Sequence, residues 1–197
     1  MRSQIFELWG SAAPANKLEA ISEQEEAKVH KMLSGFECFE SYTPAFLTDV
    51  VKIKDSFDLY LCLLSLNFEF KGRKTPQNIT TTTEQELIGL AVLHKKYGHV
   101  YIRPETLGDK LQELFVKNEI DFEADKEFSR KYYVVADNEM RCRMNLSAGF
   151  LSIVKAYNGL EIEINDTILI ARFRKPFTKE TGEELLQLLD GIGRGGF

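Results

Sequence analysis

The chain has 197 residues, of which 44% are hydrophobic and 28% are charged, and its formal net charge is −5. These values are typical of one globular domain with a sizeable core, and they exclude a collagen-like, a disulfide-framework and a generally disordered chain. The acidic balance also argues against nucleic acid as a partner, because binding to phosphates requires a basic face.

Three parts follow one another along the chain. Residues 1–20 are predicted to form an N-terminal arm that is either flexible or docked through apolar side chains such as Phe6 and Trp9. Residues 21–190 are expected to form a single α+β domain, and residues 191–197 a glycine-rich tail. The chain has no internal repeat that would indicate a repeat architecture.

The domain is predicted to begin with a helix and to continue as strands. Ser22, with Glu25 three residues later, fits a capping box, in which each side chain satisfies a free backbone N–H of the other residue. Apolar runs and period-two alternation then predict four strands, over residues 50–53, 57–70, 87–93 and 100–102, the last stopped by Pro104. Length permits a helix around residues 58–64, but the aromatic content there favours a strand. Residues 80–84 either extend a loop or begin an edge strand.

The second half begins with a helix capped by Thr106, followed by an acidic connector over residues 119–127. Phe122 and Phe128 are expected to pin this connector to the core, and Arg130 to pair with one of its carboxylates. A strand is predicted over residues 132–135.

A single helix is then expected, capped by Asp137 or Asn138 and running to Tyr157. Residues 160–164 and 167–173 form the strongest predicted hairpin, and a last helix follows it. The short links and the alternation predict an α+β fold, with a mainly antiparallel sheet and helices packed on one face.

The sequence contains no recognisable catalytic or metal-binding motif, so we predict no catalytic residue, no metal site and no cofactor. His94 and His99 flank a predicted turn and could face each other, but a zinc site needs further ligands. Glu161 and Glu163 alternate with apolar residues and are therefore expected to face water. A carboxylate in water does not acquire the raised pKa that acid–base catalysis needs.

Cysteine usage favours a reducing compartment. Cys38, Cys62 and Cys142 are too few and too scattered for a disulfide framework, so we expect free, packed thiols and a cytoplasmic location. Cys142 stands between two arginines, which lowers a thiol pKa, but no base is placed beside it. The most apolar stretch, residues 59–66, is much shorter than the ~20 residues of a membrane helix, so no transmembrane segment is predicted.

Two basic clusters lie in turns or at strand ends: Lys71, Arg73 and Lys74 in one, and Arg172, Arg174 and Lys175 in the other. Either cluster could contact phosphates, anionic lipid or an acidic partner. The usual explanation of such clusters is a solvated loop or the solvated end of a strand.

From Tyr101 onwards the chain carries short motifs in a fixed order: Tyr101-Ile102-Arg103-Pro104-Glu105, Ile120-Asp121-Phe122-Glu123 and Glu127-Phe128-Ser129-Arg130-Lys131-Tyr132. Together with the hairpin at residues 160–173, these motifs resemble a family of uncharacterised bacterial domains. The resemblance implies the order of strands and helices and a bacterial source, but no activity. Many members of that family carry membrane helices upstream, in which this chain departs from them.

Three functions remain open. The first is a non-enzymatic binding or regulatory module with a protein or membrane-associated partner, and its candidate binding residues are Lys71, Arg73, Lys74, Arg103, Glu105 and Arg130. The second is a small-molecule or hydrolytic enzyme with a site assembled around His94, His99 and Arg103. The third is a peripheral membrane protein, suggested only by the resemblance. The sequence leaves the oligomeric state open.

Overall fold

The structure, a computed structural model, describes residues 3–10, 13–39, 45–54, 58–71, 79–105, 119–173 and 175–194. The helix predicted after Thr106 therefore lies outside the described residues. So do three members of the predicted basic clusters, Arg73, Lys74 and Arg174.

The eight described strands are β1 Leu18–Ala20, β2 Ala45–Ile53, β3 Leu59–Lys71, β4 Ile79–Val92, β5 His99–Pro104, β6 Tyr132–Ala136, β7 Glu161–Asn165 and β8 Ile168–Arg172. They form one sheet in the order β1-β2-β3-β4-β8-β7-β5-β6, and every neighbouring pair is antiparallel. The helices are α1 Gln4–Trp9, α2 Glu23–Leu33, α3 Lys126–Lys131, α4 Glu139–Asn145, α5 Ala148–Lys155 and α6 Lys179–Arg194. Two 3-10 turns, Ala13–Lys17 and Glu37–Phe39, complete the described elements, and the second of them we call the covering turn. The predicted α+β class with a mainly antiparallel sheet is confirmed.

Both faces of the sheet carry an apolar layer. The first face packs against α1, α3, α4, α5 and α6, through strand residues such as Leu61 and Leu63. The second face packs against α2 and the covering turn, through Tyr60, Cys62 and Phe36. Five of the described helices thus share one face, as predicted, and α2 lies on the other. Because β3 is covered on both sides, it reads as a continuous apolar run rather than as an alternating one.

The N-terminal segment is docked where the structure describes it. Ser3 caps α1 by accepting a hydrogen bond from the Phe6 N–H. Asp49 on β2 accepts bonds from the Ser3 hydroxyl at 2.7 Å and from the Ile5 N–H at 2.8 Å. Ile5 and Trp9 are buried in the core of the first face, so the described part of the arm belongs to the domain.

Local sequence signals set most element boundaries. Ser22 caps α2 and accepts from the Glu25 N–H, as the capping-box pattern predicts. The hairpin of β7 and β8 is present, and Asp166 in its turn has φ 54°, a conformation that Asp tolerates better than most side chains. Residues 79–92 form one long strand, which joins the predicted strand at 87–93 to the Thr-rich stretch before it.

Two boundaries differ from the prediction. The single helix expected up to Tyr157 is two helices, because the Ser147 hydroxyl accepts from the Phe150 N–H and caps α5 as a new helix after α4. The last helix extends through Arg194, so the first residues of the predicted glycine-rich tail continue α6.

Candidate functional site

Buried charged side chains lie on the second face of the sheet. Glu161 and Glu163 on β7 are only 2% and 1% exposed, so the expectation that they face water is wrong. Their alternation with apolar residues predicts one face in water and one in the core, but the covering turn seals the face on which they lie. Each carboxylate is compensated by specific partners, as buried charges must be.

Glu163 fastens the covering turn to the sheet. Its two carboxylate oxygens accept the backbone N–H groups of Glu37 at 2.9 Å and Cys38 at 3.0 Å. His99 Nε2 on the neighbouring strand β5 lies 3.0 Å from the same carboxylate. Burial raises the pKa of Glu163, but the hydrogen bonds from His99, Glu37 and Cys38 outweigh it and hold the pKa below its ordinary value.

A second buried ion cluster lies beside it. Arg172 on β8 meets Glu161 through two contacts, Nε to Oε2 at 3.0 Å and Nη2 to Oε1 at 3.2 Å. Its Nη1 lies 3.5 Å from Glu86 Oε2 on β4, and the Phe39 ring of the covering turn stands 5.7 Å from the guanidinium. The sequence placed Arg172 in a solvated basic cluster, and that expectation is wrong, because its side chain spans three adjacent strands under a cover.

Cys38 is the thiol nearest to these charges. Burial raises its pKa far above the ordinary value, and the neighbouring Glu163 raises it further, while Arg172 opposes both. The thiol is therefore protonated at neutral pH. All three cysteines are free, and Cys62 and Cys142 are buried, as the sequence predicted.

The predicted site residues lie in different parts of the fold. His94 is exposed after β4, whereas His99 belongs to the Glu163 contact. Arg103 is buried on β5, with its guanidinium 4.4 Å from the centre of the Tyr133 ring on β6. Arg130 is exposed on α3, where its Nε donates to the Lys126 carbonyl of the same helix rather than to a connector carboxylate.

Of the remaining predicted residues, Glu105 lies near Arg103, whereas Lys71 lies elsewhere. Glu105 follows β5 and lies close enough to Glu119 for its charge to act there. Burial is the largest cause that raises the pKa of Glu119, Asp121 and Glu105 raise it further, and Arg103 lowers it. Lys71 is the last residue of β3. The structure thus brings Arg103 and Glu105 together at the end of β5, but it does not gather the predicted binding residues into one site.

The described ranges contain no cluster of three His, Cys, Asp or Glu residues arranged to hold a metal ion. Over the same ranges, no helix has the length and apolarity needed to cross a membrane. Phe122 and Phe128 pin the acidic connector to the core as predicted, in an edge-to-face contact of 5.5 Å between ring centres.

An exposed apolar face lies on α4. Met140 and Met144 are 73% and 78% exposed and stand four residues apart, so they lie one above the other on the helix. Cys142, between them in sequence, points the opposite way and is buried. Arg141 is exposed on the same helix. The sequence signal for this face is the pair of methionines at a spacing of four, on a helix already anchored by a buried residue between them.

A groove of about 610 Å³ runs beside α4. Its apolar lining comes from the connector, from the residue after α4 and from α5, namely Phe122, Leu146 and Leu151. Arg143 stands at the groove and pairs with Glu139 at 2.8 Å, and it also donates to the Asp121 carbonyl.

Positive charge borders the other side of α4. The Asn145 amide donates to the Lys96 carbonyl at 3.1 Å, which holds the loop after β4 against the end of the helix. Lys95 and Lys96 are both exposed. Because Arg141 precedes Asn145 by four residues, it lies on the side of α4 that this loop approaches. We call Met140, Met144, Arg141, Lys95 and Lys96 the α4 face.

The resemblance to a family of bacterial domains stays a prediction. No family model, no curated protein and no solved structure matches this chain.

Proposed function

We propose that the chain is a non-enzymatic binding module that docks an acidic protein segment with an apolar anchor on the α4 face. One observation carries this proposal: two large apolar side chains of one short helix stand in water, whereas the other large apolar residues that the structure describes, apart from Phe46, are buried or partly buried. Adjacent exposed apolar side chains of this kind mark interaction surfaces.

Methionine suits a docking surface because its side chain is flexible and polarisable and adapts to the shape of a partner. Covering one such side chain contributes about 1.5–3 kcal/mol. The groove next to α4 offers the partner's own apolar side chain a place beside Phe122, Leu146 and Leu151. Together these contacts provide the apolar centre that stable interfaces have.

Charge selects an acidic partner. The chain as a whole is acidic, at −5, yet Arg141, Lys95 and Lys96 border the methionines. Glu139 is paired with Arg143 and Asp125 with Lys155, so these two charges are compensated. Asp137 next to the helix and Glu123 at the groove remain as exposed carboxylates, fewer than the three cations. An acidic segment is therefore attracted to the α4 face, whereas a basic segment is attracted to other parts of the surface.

The enzyme alternative has less support. Its three central residues do not converge, since His94 is exposed in a loop, His99 binds Glu163 and Arg103 stacks on Tyr133. The buried carboxylates are engaged in ion pairs, and the nearby Cys38 thiol is protonated at neutral pH. Such contacts stabilise the cover of the second face rather than prepare a nucleophile or a base.

Fluorescence anisotropy with labelled peptides tests the proposal. The probes are two peptide sets with the same Leu and Phe anchors, one with Asp and Glu around the anchors and the other with Lys and Arg. We expect acidic peptides to bind, the double variant Met140→Ser with Met144→Ser to weaken binding at least about tenfold, and Arg141→Glu to weaken it further. Phe46→Ser, which removes an exposed apolar side chain on β2, and Lys31→Glu on α2 are the matched controls and should bind normally.

Two outcomes would contradict the proposal. Equal affinity for the acidic and basic sets would remove the charge argument. Binding to vesicles rich in anionic lipid, lost in Arg141→Glu, with no binding to either peptide set, would instead support the peripheral membrane alternative.

A further inference from the structure

Part of the β3–β4 hairpin projects beyond the sheet. The pairing of β2 with β3 begins at Leu66, and the pairing of β8 with β4 ends at Gly89. Beyond Leu66, β3 and β4 continue to pair with each other, from Asn67 with Thr83 to Lys71 with Ile79, and no other strand among the described residues joins them there. We call residues 67–71 and 79–83 the ribbon. A two-stranded ribbon is marginally stable in water on its own, so a further strand alongside it would stabilise it.

The backbone geometry shows which groups of β4 point away from β3. The Val92 N–H donates to the Asp58 carbonyl on the β3 side, and the Leu93 N–H donates to the Thr167 carbonyl on the β8 side. Antiparallel strands alternate the direction of these groups from one residue to the next. The pairing of β3 with β4 runs without a register shift from Leu59 to Lys71, so the alternation continues to the ribbon.

It follows that the odd-numbered residues of β4, Thr81 and Thr83 among them, direct their backbone N–H and C=O groups to the outer edge. The even-numbered residues, such as Thr82, bond to β3. Among the described residues, no strand pairs with this outer edge between residues 79 and 88. The ribbon therefore presents a row of backbone donors and acceptors ready for another strand.

The two terminal strands of the sheet are protected. The terminal strand β1 has three residues, which is too short to accept a long partner. At the opposite end, the Val134 carbonyl of β6 already accepts the Ile120 N–H at 2.8 Å. The ribbon edge has no such device: residues 79–83 read Ile-Thr-Thr-Thr-Thr, with no charge and no proline that would discourage pairing.

We propose that the ribbon edge is a self-association surface, on which the β4 strand of a second copy of this chain pairs antiparallel about a two-fold axis. A closed two-fold contact sets a surface against itself, so the surface must tolerate its own charge. The uncharged run at residues 79–83 meets this condition.

Charge also restricts the position of the axis. A pairing centred on Glu84 would place that carboxylate opposite its own copy, and like charges directly opposite destabilise a sheet. An axis within residues 79–83 avoids this clash. The helix α4 packs near β6 at the end of the sheet, separated from β4 by three strands, so the ribbon contact and the α4 face are separate surfaces.

Thr83→Pro and Thr83→Val test the proposal by sedimentation equilibrium of the full chain. Proline at Thr83 removes an outward N–H and leaves the bonds of Thr82 to β3 intact, as edge positions allow. Valine keeps that N–H but, like proline, loses the hydroxyl that contacts Asn67 Oδ1 at 2.6 Å. We expect the wild type and Thr83→Val to dimerise, and Thr83→Pro to dimerise at least about tenfold more weakly while binding acidic peptides as the wild type does. A wild type that stays monomeric at every concentration, or equal weakening in both variants, would overturn the proposal.

Amide hydrogen exchange resolves the contact residue by residue in the wild type. The amides of Thr81 and Thr83 should become protected as protein concentration rises, whereas the amide of Thr82, bonded to β3, should exchange at a rate independent of concentration. A dimer in which the odd-numbered amides gain no protection would place the interface elsewhere and refute the ribbon contact.

Discussion

The carboxylate of Glu163 on β7 lies 3.0 Å from Nε2 of His99 on β5, and it also accepts two backbone N–H groups of the covering turn. One buried side chain thus ties two strands of the sheet to the segment that seals them. The second face is closed by this contact and by the ion cluster of Arg172, rather than by apolar packing alone.

Glu163→Gln should lower the free energy of unfolding by about 1.5–3 kcal/mol, because hydrogen bonds to a charged acceptor are replaced by weaker ones and an NH₂ group is turned towards N–H donors. Denaturant unfolding measures the change. Glu19→Gln, which neutralises an exposed carboxylate on β1, is the control and should shift stability by less than about 0.5 kcal/mol. Equal stability of Glu163→Gln and the wild type would mean that the carboxylate does not hold the covering turn.

The same carboxylate predicts a pH dependence. Its folded pKa lies below the ordinary value of 4.5, so the unfolded chain binds this proton more readily than the folded chain. The stability that Glu163 contributes is therefore complete above the ordinary value and is lost as the pH falls through the folded pKa. The difference in unfolding free energy between the wild type and Glu163→Gln should shrink as the pH falls below the ordinary value of 4.5. A difference that grew on acidification would contradict the lowered pKa of Glu163.

Arg172→Met should destabilise the fold by about 3–5 kcal/mol, because it leaves the buried carboxylates of Glu161 and Glu86 without their cation. Replacing all three residues, with Glu161→Leu and Glu86→Leu added, removes the charges together and should restore much of the loss. Thermal and denaturant unfolding of the single and triple variants measure the loss of stability and the part of it that is restored. A triple variant as unstable as the single one would indicate that the cost comes from packing rather than from the uncompensated charge.

The sequence predicted what local chemistry determines. The cap at Ser22, the stop at Pro104 and the β7–β8 hairpin each depend on residues a few positions apart, and all three are present. The burial of Glu163 was missed because the backbone groups that it binds, those of the covering turn, lie about 125 residues earlier in the chain. Alternation along β7 carries no information on whether a distant turn covers one of its faces.

Of the two candidate binding surfaces, one depends on local sequence and the other on long-range strand pairing. Met140 and Met144 could have been found from the sequence, because helical spacing places them opposite buried Cys142. The ribbon edge depends on which strand β8 joins and where that pairing stops. The residues of the Thr-rich stretch carry no signal for this long-range pairing, so the edge could not be predicted from the sequence.

Cys38 should react slowly with thiol reagents in the folded protein, although its residue is not fully buried, because burial raises its pKa and leaves little thiolate at neutral pH. Mass spectrometry after brief alkylation, in native buffer and in guanidinium chloride, measures the modified fraction at each cysteine. All three thiols should be modified rapidly only in denaturant. Rapid modification of Cys38 in native buffer would mean that the thiol is largely ionised despite its burial next to Glu163. That result would support a nucleophilic role for Cys38.

Gly182→Ala should undock α1. A Cβ at Gly182 would stand 2.5 Å from Trp9 Cζ2, so the Trp9 indole ring on α1 would have to move. This clash opposes the helix propensity of alanine, which favours it over glycine by about 1 kcal/mol. Gly191→Ala in the same helix is the matched control, because its Cβ would meet Ile153 Cγ2 at an ordinary 3.4 Å and should stabilise or leave the fold unchanged. The chain has a single tryptophan, so its emission reports on Trp9 alone. A red shift in Gly182→Ala but not in Gly191→Ala means that the close approach of α6 requires glycine at that position, whereas unchanged emission in both means that Trp9 is not packed against α6.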